Sequence, residues 1–263
     1  MAQIRYLAVL SEKLAELASF YQTRMGLTEL TRSNHNDIAL TDGFYNFAIL
    51  NRREELNEPR MEVGLHHIGL QVASIDETLD RYKRFYPRGL IVPEPQDAYH
   101  GQIRIFDPEA NPVTLSEEGF GVGKGEKRTP RIVHIALNAL VPDTLLQFYS
   151  DVFDFKEISA SFVFRQSGKA NRFAGDGVTN LAIHPFYNGT VGHEARMGIN
   201  HFGILVQDMV GKLNELKNIV KIADRPDIRP FAEHRMEDPE GNRVDFSQNK
   251  GWEVGRNQWD KVV

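Results

Sequence analysis

Four short segments of the chain each begin with a side chain that can bind a metal ion. The lead residues are Tyr6, His67, His134 and His201, and each is followed by an aliphatic or aromatic residue, then Ala or Gly, then a second aliphatic residue. Such self-similarity at a fixed period is the mark of an internal repeat. Because imidazole is a frequent ligand of divalent metals, the repeat indicates that any metal chemistry lies where these segments come together.

Each lead segment is predicted to be a strand that is followed by a helix. The segments alternate with period two, and the stretches after them carry apolar residues at helical spacing. The predicted helical faces cover residues 14–25, 75–86, 141–152 and 209–220.

Turn signals sort the four units into two similar pairs. Asp42-Gly43 in the first unit recurs as Asp176-Gly177 in the third, and the Asp-Pro-Glu turn at Asp107 recurs at Asp238. The chain therefore reads as a pair of units that has been duplicated.

Length and composition predict two domains. The 263 residues are 41% hydrophobic, enough for two modest cores of about 130 residues each. A stretch of alternating glycines over residues 117–130 is the expected linker. We therefore predict an N-terminal pair of modules over residues 1–118, a C-terminal pair that carries the active site over residues 131–248, and a tail over residues 249–263. The tail holds both tryptophans, whose rings we expect to pack against the body of the protein. The alternatives are that they cover the open side of the barrel or pack on a second subunit.

Several classes of protein are disfavoured by the composition. No apolar run is long enough to span a bilayer, and Glu12 and Glu16 interrupt the region that a signal peptide would need. We therefore expect a cytoplasmic protein without a membrane partner. The absence of cysteine excludes disulfides and thiolate ligands, and a dispersed net charge of −5 disfavours nucleic acid as a partner.

The repeat and the turns together resemble the vicinal oxygen chelate superfamily, which includes glyoxalases, extradiol dioxygenases and bleomycin-resistance proteins. The resemblance rests on the His-led strands and on the D-P-x-G-N turn before the last strand, and it covers residues 4–248. It implies an α+β fold in which four βαβββ modules form two half-open mixed β-barrels flanked by helices.

The same resemblance implies one divalent metal in the C-terminal pair. The ligand positions fall on His134, His201 and Asp245, the last of which stands where the family usually has Glu. Two imidazoles and a carboxylate leave coordination positions open, as Fe(II) or Mn(II) enzymes require. The matching trio of the N-terminal pair is Tyr6, His67 and Thr114, which lacks a carboxylate. We therefore expect a degenerate site there.

Residues around the metal decide the reaction. The resemblance places Thr179 and Arg235 where extradiol dioxygenases keep a His and a Tyr. Arg235 is a candidate to bind a substrate carboxylate, and Glu233, on the same strand face, is a candidate general base. An exposed Arg–Glu pair is the alternative interpretation.

The sequence therefore predicts a metal-dependent enzyme that acts on a small molecule with two adjacent oxygens. The four-module architecture favours an oxidoreductase of the extradiol dioxygenase type. The altered residues at 179 and 235 favour a non-oxidative glyoxalase, isomerase or epimerase, and a metal-free binding protein is the third alternative. A homo-oligomer is compatible with the sequence.

Overall fold

The protein is described by a computed structural model. The described residues are 2–52, 62–94, 100–123, 129–158, 165–166, 169–186, 196–225 and 232–248. The tail at 249–263 lies outside them, so the expectation about its tryptophans stays a prediction.

The N-terminal half contains two successive βαβββ modules. Its elements are β1 (Gln3–Ser11), α1 (Leu14–Met25), β2 (Thr28–Arg32), β3 (Ile38–Thr41), β4 (Asn46–Asn51), β5 (Gly64–Gln71), α2 (Ile75–Phe85), β6 (Ile91–Pro93), β7 (Ile103–Phe106) and β8 (Pro112–Ser116). The strands form one open, mixed sheet in the order β2-β3-β4-β1-β5-β8-β7-β6. The lead strands of the two modules, β1 and β5, pair antiparallel at its centre.

The C-terminal half repeats this plan. Its elements are β9 (Arg131–Ala139), α3 (Pro142–Phe153), β10 (Lys156–Glu157), β11 (Arg165–Gln166), β12 (Lys169–Ala170), β13 (Arg172–Gly175), β14 (Asn180–Pro185), β15 (Gly198–Leu205), α4 (Met209–Leu216), β16 (Ile222–Asp224), β17 (His234–Glu237) and β18 (Arg243–Ser247). The main sheet has the order β10-β13-β14-β9-β15-β18-β17-β16, and β11 pairs only with β12 among the described strands. The predicted α+β fold of four βαβββ modules is confirmed, with both sheets open.

Local signals explain where the helices begin and end. The side chain of Ser74 accepts from the Glu77 amide at the start of α2, and Gly26 ends α1 in the left-handed conformation, as expected of an N-cap and a C-cap. Helix α4 ends at Leu216, so Val220, which the spacing placed on its apolar face, lies beyond it. The turn at 217–219 replaces the last predicted helical turn.

The core is continuous across the two halves. One cluster of buried apolar side chains includes residues from all four modules, and the ring of Phe202 lies 5.6 Å from Phe47 and 6.2 Å from Tyr21. The apolar faces of the helices and sheets therefore meet between the halves, and the division into two domains stays a prediction.

Polar contacts between the halves are reciprocal. Asp42 accepts from the Ile132 amide at 2.7 Å, and its counterpart Asp176 accepts from the Ile4 amide at 2.6 Å. Tyr21 donates to Asp238, as Tyr149 does to Asp107. The turn motifs that define the repeat thus join each half to the first module of the other.

Part of the predicted linker packs against the N-terminal half. Phe120 is fully buried, and the guanidinium of Arg5 donates to the carbonyls of Val122 and Gly123. Residues 117–123 are therefore a docked segment. The glycine-rich composition predicted a flexible linker, although Phe120 within it anchors the segment to the N-terminal half.

No helix in the described residues has the length and apolar character needed to cross a membrane.

Candidate metal centre

Three strands bring the predicted ligands onto one face of the C-terminal sheet. Strands β9 and β15 pair antiparallel, with His134 opposite Gly203 and His201 opposite Ala136. Strand β18 runs parallel to β15 with Asp245 opposite Gly203. The small residues at 136 and 203 leave space beside each imidazole, as expected for a site that admits a ligand.

The predicted ligand atoms lie close together. The Nε2 atoms of His134 and His201 are 3.4 Å apart, and His201 Nε2 is 3.3 Å from Asp245 Oδ2. All three side chains are buried. The structure therefore brings together the predicted trio, although Asp245 is one methylene shorter than the Glu that the resemblance led us to expect.

Asparagines hold the far side of both imidazoles. The Nδ1 atom of His134 lies 3.1 Å from Asn180 Oδ1, and that of His201 lies 2.7 Å from Asn200 Oδ1. An amide oxygen accepts a hydrogen bond from Nδ1–H, and the lone pair of Nε2 then points into the site. This arrangement is typical of metal-binding histidines.

Electrostatics keep both histidines neutral. Burial lowers the pKa of His134 to about 4, although Asp245 acts in the opposite direction. Burial also lowers the pKa of His201 well below its usual range, helped by the positive charges of Arg235 and Arg225. Only neutral imidazole binds a metal, so both side chains are in the binding form at neutral pH.

Arg235 binds Asp245 through two hydrogen bonds. Its Nε donates to Asp245 Oδ1 at 2.5 Å and its Nη2 to Oδ2 at 2.9 Å, the forked geometry that Arg and carboxylates favour. We predicted that Arg235 binds a substrate carboxylate, but in this structure the carboxylate that it binds belongs to the protein. The exposed Arg–Glu pair is not observed either, because Arg235 is largely buried.

The other two predicted catalytic residues are engaged elsewhere. The carboxylate of Glu233 accepts from the Gln248 amide at 2.6 Å, a contact that Gln102 makes with the Glu117 amide in the N-terminal half. Because a neutral side chain does the same, that contact is structural. The hydroxyl of Thr179 bonds to Tyr45 of the other half. Its neighbour Asn180 reaches His134, because adjacent residues of a strand point to opposite faces.

Sequence reasoning missed His184. This residue lies on β14 two positions beyond Ala182 and therefore on the same face as Asn180, and its ring stacks on that of His201 with centroids 5.9 Å apart. The equivalent position of the first module is Leu50. A search for repeated residues could not find His184, whereas the alternation along β14 could have.

The spacing of the donor atoms around His201 suits a divalent ion. Two donors bound at about 2.1 Å stand ~3.0–3.4 Å apart for bond angles near 90–110°, which agrees with the two spacings at His201. Among the described residues, no group of three or more His, Cys, Asp or Glu side chains closes around one ion position. A carboxylate has about four acceptor sites and Arg235 uses two. The donor types and two spacings therefore fit an ion, provided that Asp245 is shared with Arg235.

The equivalent place in the N-terminal half is closed. Arg104 donates to Glu94 at 2.6 Å, and Thr114, opposite Gly69, donates to the same oxygen. The ring of Phe120 stacks on Tyr6 at 5.0 Å. Arg104 is therefore the equivalent of Arg235, but the ring of Phe120 occupies the space beside Tyr6 where a ligand would enter.

Comparison with solved structures shows proteins of the same fold. The 2,3-dioxygenase LapB from Pseudomonas sp. KL28 superposes with a TM-score of 0.69 at 13% identity, covering 93% of this chain and 91% of that one. The Mn(II)-bound glyoxalase from Novosphingobium aromaticivorans gives 0.67 at 18% identity, covering 93% and 81%. A variant of homoprotocatechuate 2,3-dioxygenase from B. fuscum, in complex with HPCA, gives 0.70 at 13% identity, covering 94% and 71%.

These identities are low, so the structural likeness speaks for the fold alone. No curated protein sequence matches the chain. Residues 3–115 and 131–246 each match the Glyoxalase/Bleomycin resistance protein/Dioxygenase superfamily, and the chain therefore belongs to that superfamily.

Proposed function

We propose that the protein is a metal-dependent enzyme in which His134, His201 and Asp245 hold one divalent ion, Fe(II) or Mn(II). The observation that carries the proposal is the close approach of two buried, neutral imidazoles and one carboxylate, at 3.4 and 3.3 Å. The likeness to a Mn(II)-bound glyoxalase and to 2,3-dioxygenases supports it. The substrate is a small organic molecule with two adjacent oxygens.

The ion and the side chains have separate tasks. A divalent ion held by His134, His201 and Asp245 would supply Lewis acidity that stabilises negative charge developing on the substrate oxygens. Asn180 and Asn200 orient the histidines, and Arg235 orients Asp245. His184, stacked on His201, is the side chain placed to accept or return a proton.

His184 supplies the proton-moving group that ring cleavage needs. A catechol must lose its hydroxyl protons as dioxygen is incorporated and the ring bond beside the diol breaks, and this requires a group that moves protons. A non-oxidative isomerase or lyase of the glyoxalase type is the second candidate, favoured by the resemblance to the Mn(II)-bound glyoxalase. A metal-free binding protein is the third candidate, favoured by the two hydrogen bonds that Arg235 donates to Asp245.

The substrate of this proposal carries an anionic group. The N-terminal half has Glu94 after β6, and the C-terminal half has Arg225 at the equivalent place after β16. In both halves this residue donates its amide to the matching carbonyl, of Gln102 or of Glu233. The charge is thus reversed near His201, whose pKa Arg225 helps to lower. A carboxylate on the substrate complements this cation.

Metal analysis tests the site. We expect one ion per chain in the wild type, none after His134→Ala or His201→Ala, and at least about a 100-fold loss of affinity after Asp245→Ala, since even groups outside the ligand set cost 10–100-fold. The matched controls are His67→Ala and Thr114→Ala, which change the equivalent positions of the N-terminal half. Equal losses in the controls would move the site to that half.

Oxygen uptake tests the reaction. The Fe(II)-loaded protein should consume dioxygen with a catechol that carries a carboxylate and more slowly with catechol itself, and His184→Gln should lower the rate without lowering the metal content. A general acid–base group typically contributes about 10²–10⁴-fold. Turnover of keto or hydroxy acids without oxygen uptake would favour the isomerase instead.

A further inference from the structure

The segment that follows the last strand of the N-terminal half inserts an aromatic ring into that half. Phe120 is fully buried and stacks on Tyr6, the lead residue of β1, with centroids 5.0 Å apart. Its carbonyl accepts from Asn46 Nδ2 at 2.9 Å. The ring thus covers the position that is equivalent to the metal centre of the other half.

A glycine makes room for this ring. A Cβ atom added to Gly69 would lie 2.6 Å from Phe120 Cζ and 2.7 Å from Tyr6 Cβ, closer than carbon atoms approach without repulsion. Gly69 lies opposite Tyr6 in the pairing of β1 with β5. The docking site therefore consists of a lead residue, a glycine across from it and an asparagine beside it.

The C-terminal half repeats this docking site. His134 takes the place of Tyr6, with Gly203 across from it and Asn180 beside it in the same registers. At the positions of the Arg5–Gln71 pair, this half has Val133 and Leu205, which cluster with Ala232. The hydrogen-bonded Arg5–Gln71 pair of the N-terminal half is thus replaced by apolar side chains in the C-terminal half.

The chain also repeats the segment that would dock there. Gly119-Phe120-Gly121-Val122-Gly123 recurs as Gly251-Trp252-Glu253-Val254-Gly255. Both segments follow strands that end with the same contact, from the Glu117 amide to Gln102 and from the Gln248 amide to Glu233. The first segment begins two residues after Glu117, and the second begins three residues after Gln248. The connection to the second segment is therefore one residue longer, and the second segment can reach at least as far from its strand.

We propose that residues 251–255 dock on the C-terminal half as residues 119–123 dock on the N-terminal half. Trp252 then lies against His134, and Val254 packs on the surface of Val133 and Leu205. Val133, which cannot donate a side-chain hydrogen bond, stands at the position of Arg5. The docking therefore depends on the indole ring and the apolar contact.

Tryptophan fluorescence of the metal-free protein tests this proposal, independently of any activity. The chain has two tryptophans, so Trp259→Phe leaves Trp252 as the reporter. The reference for a docked ring is Phe120→Trp in a protein that also carries Trp252→Phe and Trp259→Phe. We expect Trp252 to match this reference, with a blue-shifted emission and strong protection from acrylamide. Emission and quenching equal to those of the urea-unfolded protein would overturn the proposal.

A second substitution locates the ring. Gly203→Ala in the Trp259→Phe protein should shift the emission of Trp252 to the red and increase its quenching, whereas the same change in the Trp252→Phe protein should leave Trp259 unaffected. Circular dichroism checks that the variant folds, and if it does not, the comparison with the docked reference decides. The protection should also be independent of protein concentration. Its loss on dilution would show that the ring docks on a second copy and would overturn the proposal.

Discussion

At the scale of single residues, the centre depends on a carboxylate with two partners. Asp245 lies between His201 and Arg235, and its side chain and that of Arg235 are almost completely buried. A buried carboxylate is costly unless a cation compensates it. Arg235 supplies that cation in the metal-free protein, and a divalent ion at the two histidines would supply another.

Replacing Arg235 should therefore make the fold depend on metal. Arg235→Met leaves Asp245 uncompensated, and we expect a loss of about 3 kcal/mol or more in the free energy of unfolding without metal. Mn(II) should restore more stability to this variant than it adds to the wild type. Thermal unfolding with and without Mn(II) measures both effects.

The N-terminal half offers the control for this measurement. Arg104→Met leaves Glu94 uncompensated in a similarly buried pair, but the residues around it lack the second histidine. We expect a comparable loss of stability that Mn(II) does not repair. Equal rescue of both variants, or of neither, would contradict the role given to Asp245.

The sequence predicted the residues that repeat and missed those that do not. His134 and His201 lead repeated strands, and the family resemblance pointed to Asp245. His184 has no repeated partner, because Leu50 takes its place in the first module. The predicted residue Thr179 is adjacent to Asn180, which contacts His134. Because adjacent residues of a strand point to opposite faces, a prediction that is wrong by one residue selects the wrong face. The roles of Arg235 and Glu233 depend on contacts between strands that a linear pattern does not show.

At the scale of elements, periodicity was sufficient for the strands and helices but not for the segment between the halves. The alternating glycines of residues 117–130 are typical of a flexible linker. In the structure this composition serves another purpose, since Gly119 and Gly121 take left-handed conformations on either side of the buried Phe120. Burying the ring offsets part of the cost of ordering the segment, and the hydrogen bonds from Asn46 to the Phe120 carbonyl and from Arg5 to the carbonyls of Val122 and Gly123 add to it.

The ring of Phe120 is therefore expected to stabilise the N-terminal half strongly. Phe120→Ala should lower the free energy of unfolding by roughly 3–5 kcal/mol, as buried Phe→Ala changes do. Leu90→Ala, at a position that is 59% exposed, should change it by no more than about 0.5 kcal/mol. Chemical denaturation measures both variants. Equal, small effects would mean that the segment is a linker after all.

At the scale of the whole molecule, the repeat is also the means by which the halves hold each other. The aspartate of the Asp-Gly turn in each half accepts a hydrogen bond from a backbone amide of a lead strand in the other half. The aspartates of the Asp-Pro turns accept hydrogen bonds from tyrosine hydroxyls on helices of the other half. The sequence showed these turns as markers of duplication. It could not show that their partners lie across the molecule, because pairing between repeats is a property of the assembled fold.

One of these contacts gives the protein a distinctive response to pH. Asp176 accepts from the amides of Ile4, Val178 and Thr179, and burial nevertheless raises its pKa from 3.8 to about 6. A raised pKa means that the folded state binds the proton more tightly than the unfolded state does. The cost of burying the charge is therefore present above pH 6 and is relieved as the pH falls from 6 towards 3.8.

Asp176→Asn should lose this response. The variant keeps an oxygen for the turn amides but presents an amide group to Ile4, and we expect it to be less stable than the wild type by about 1–3 kcal/mol at pH 7. Because only the wild type gains stability on protonation of this group, the difference should grow between pH 7 and pH 4.5, by at most about 3 kcal/mol for a shift of two units. Contributions from the buried histidines are common to both proteins and cancel.

Urea denaturation at the two pH values measures the change, with Asp80→Asn on the exposed face of α2 as the control. A difference that stays constant or shrinks towards acid would show that Asp176 is already ionised without cost, and that the contact between the halves does not depend on its protonation.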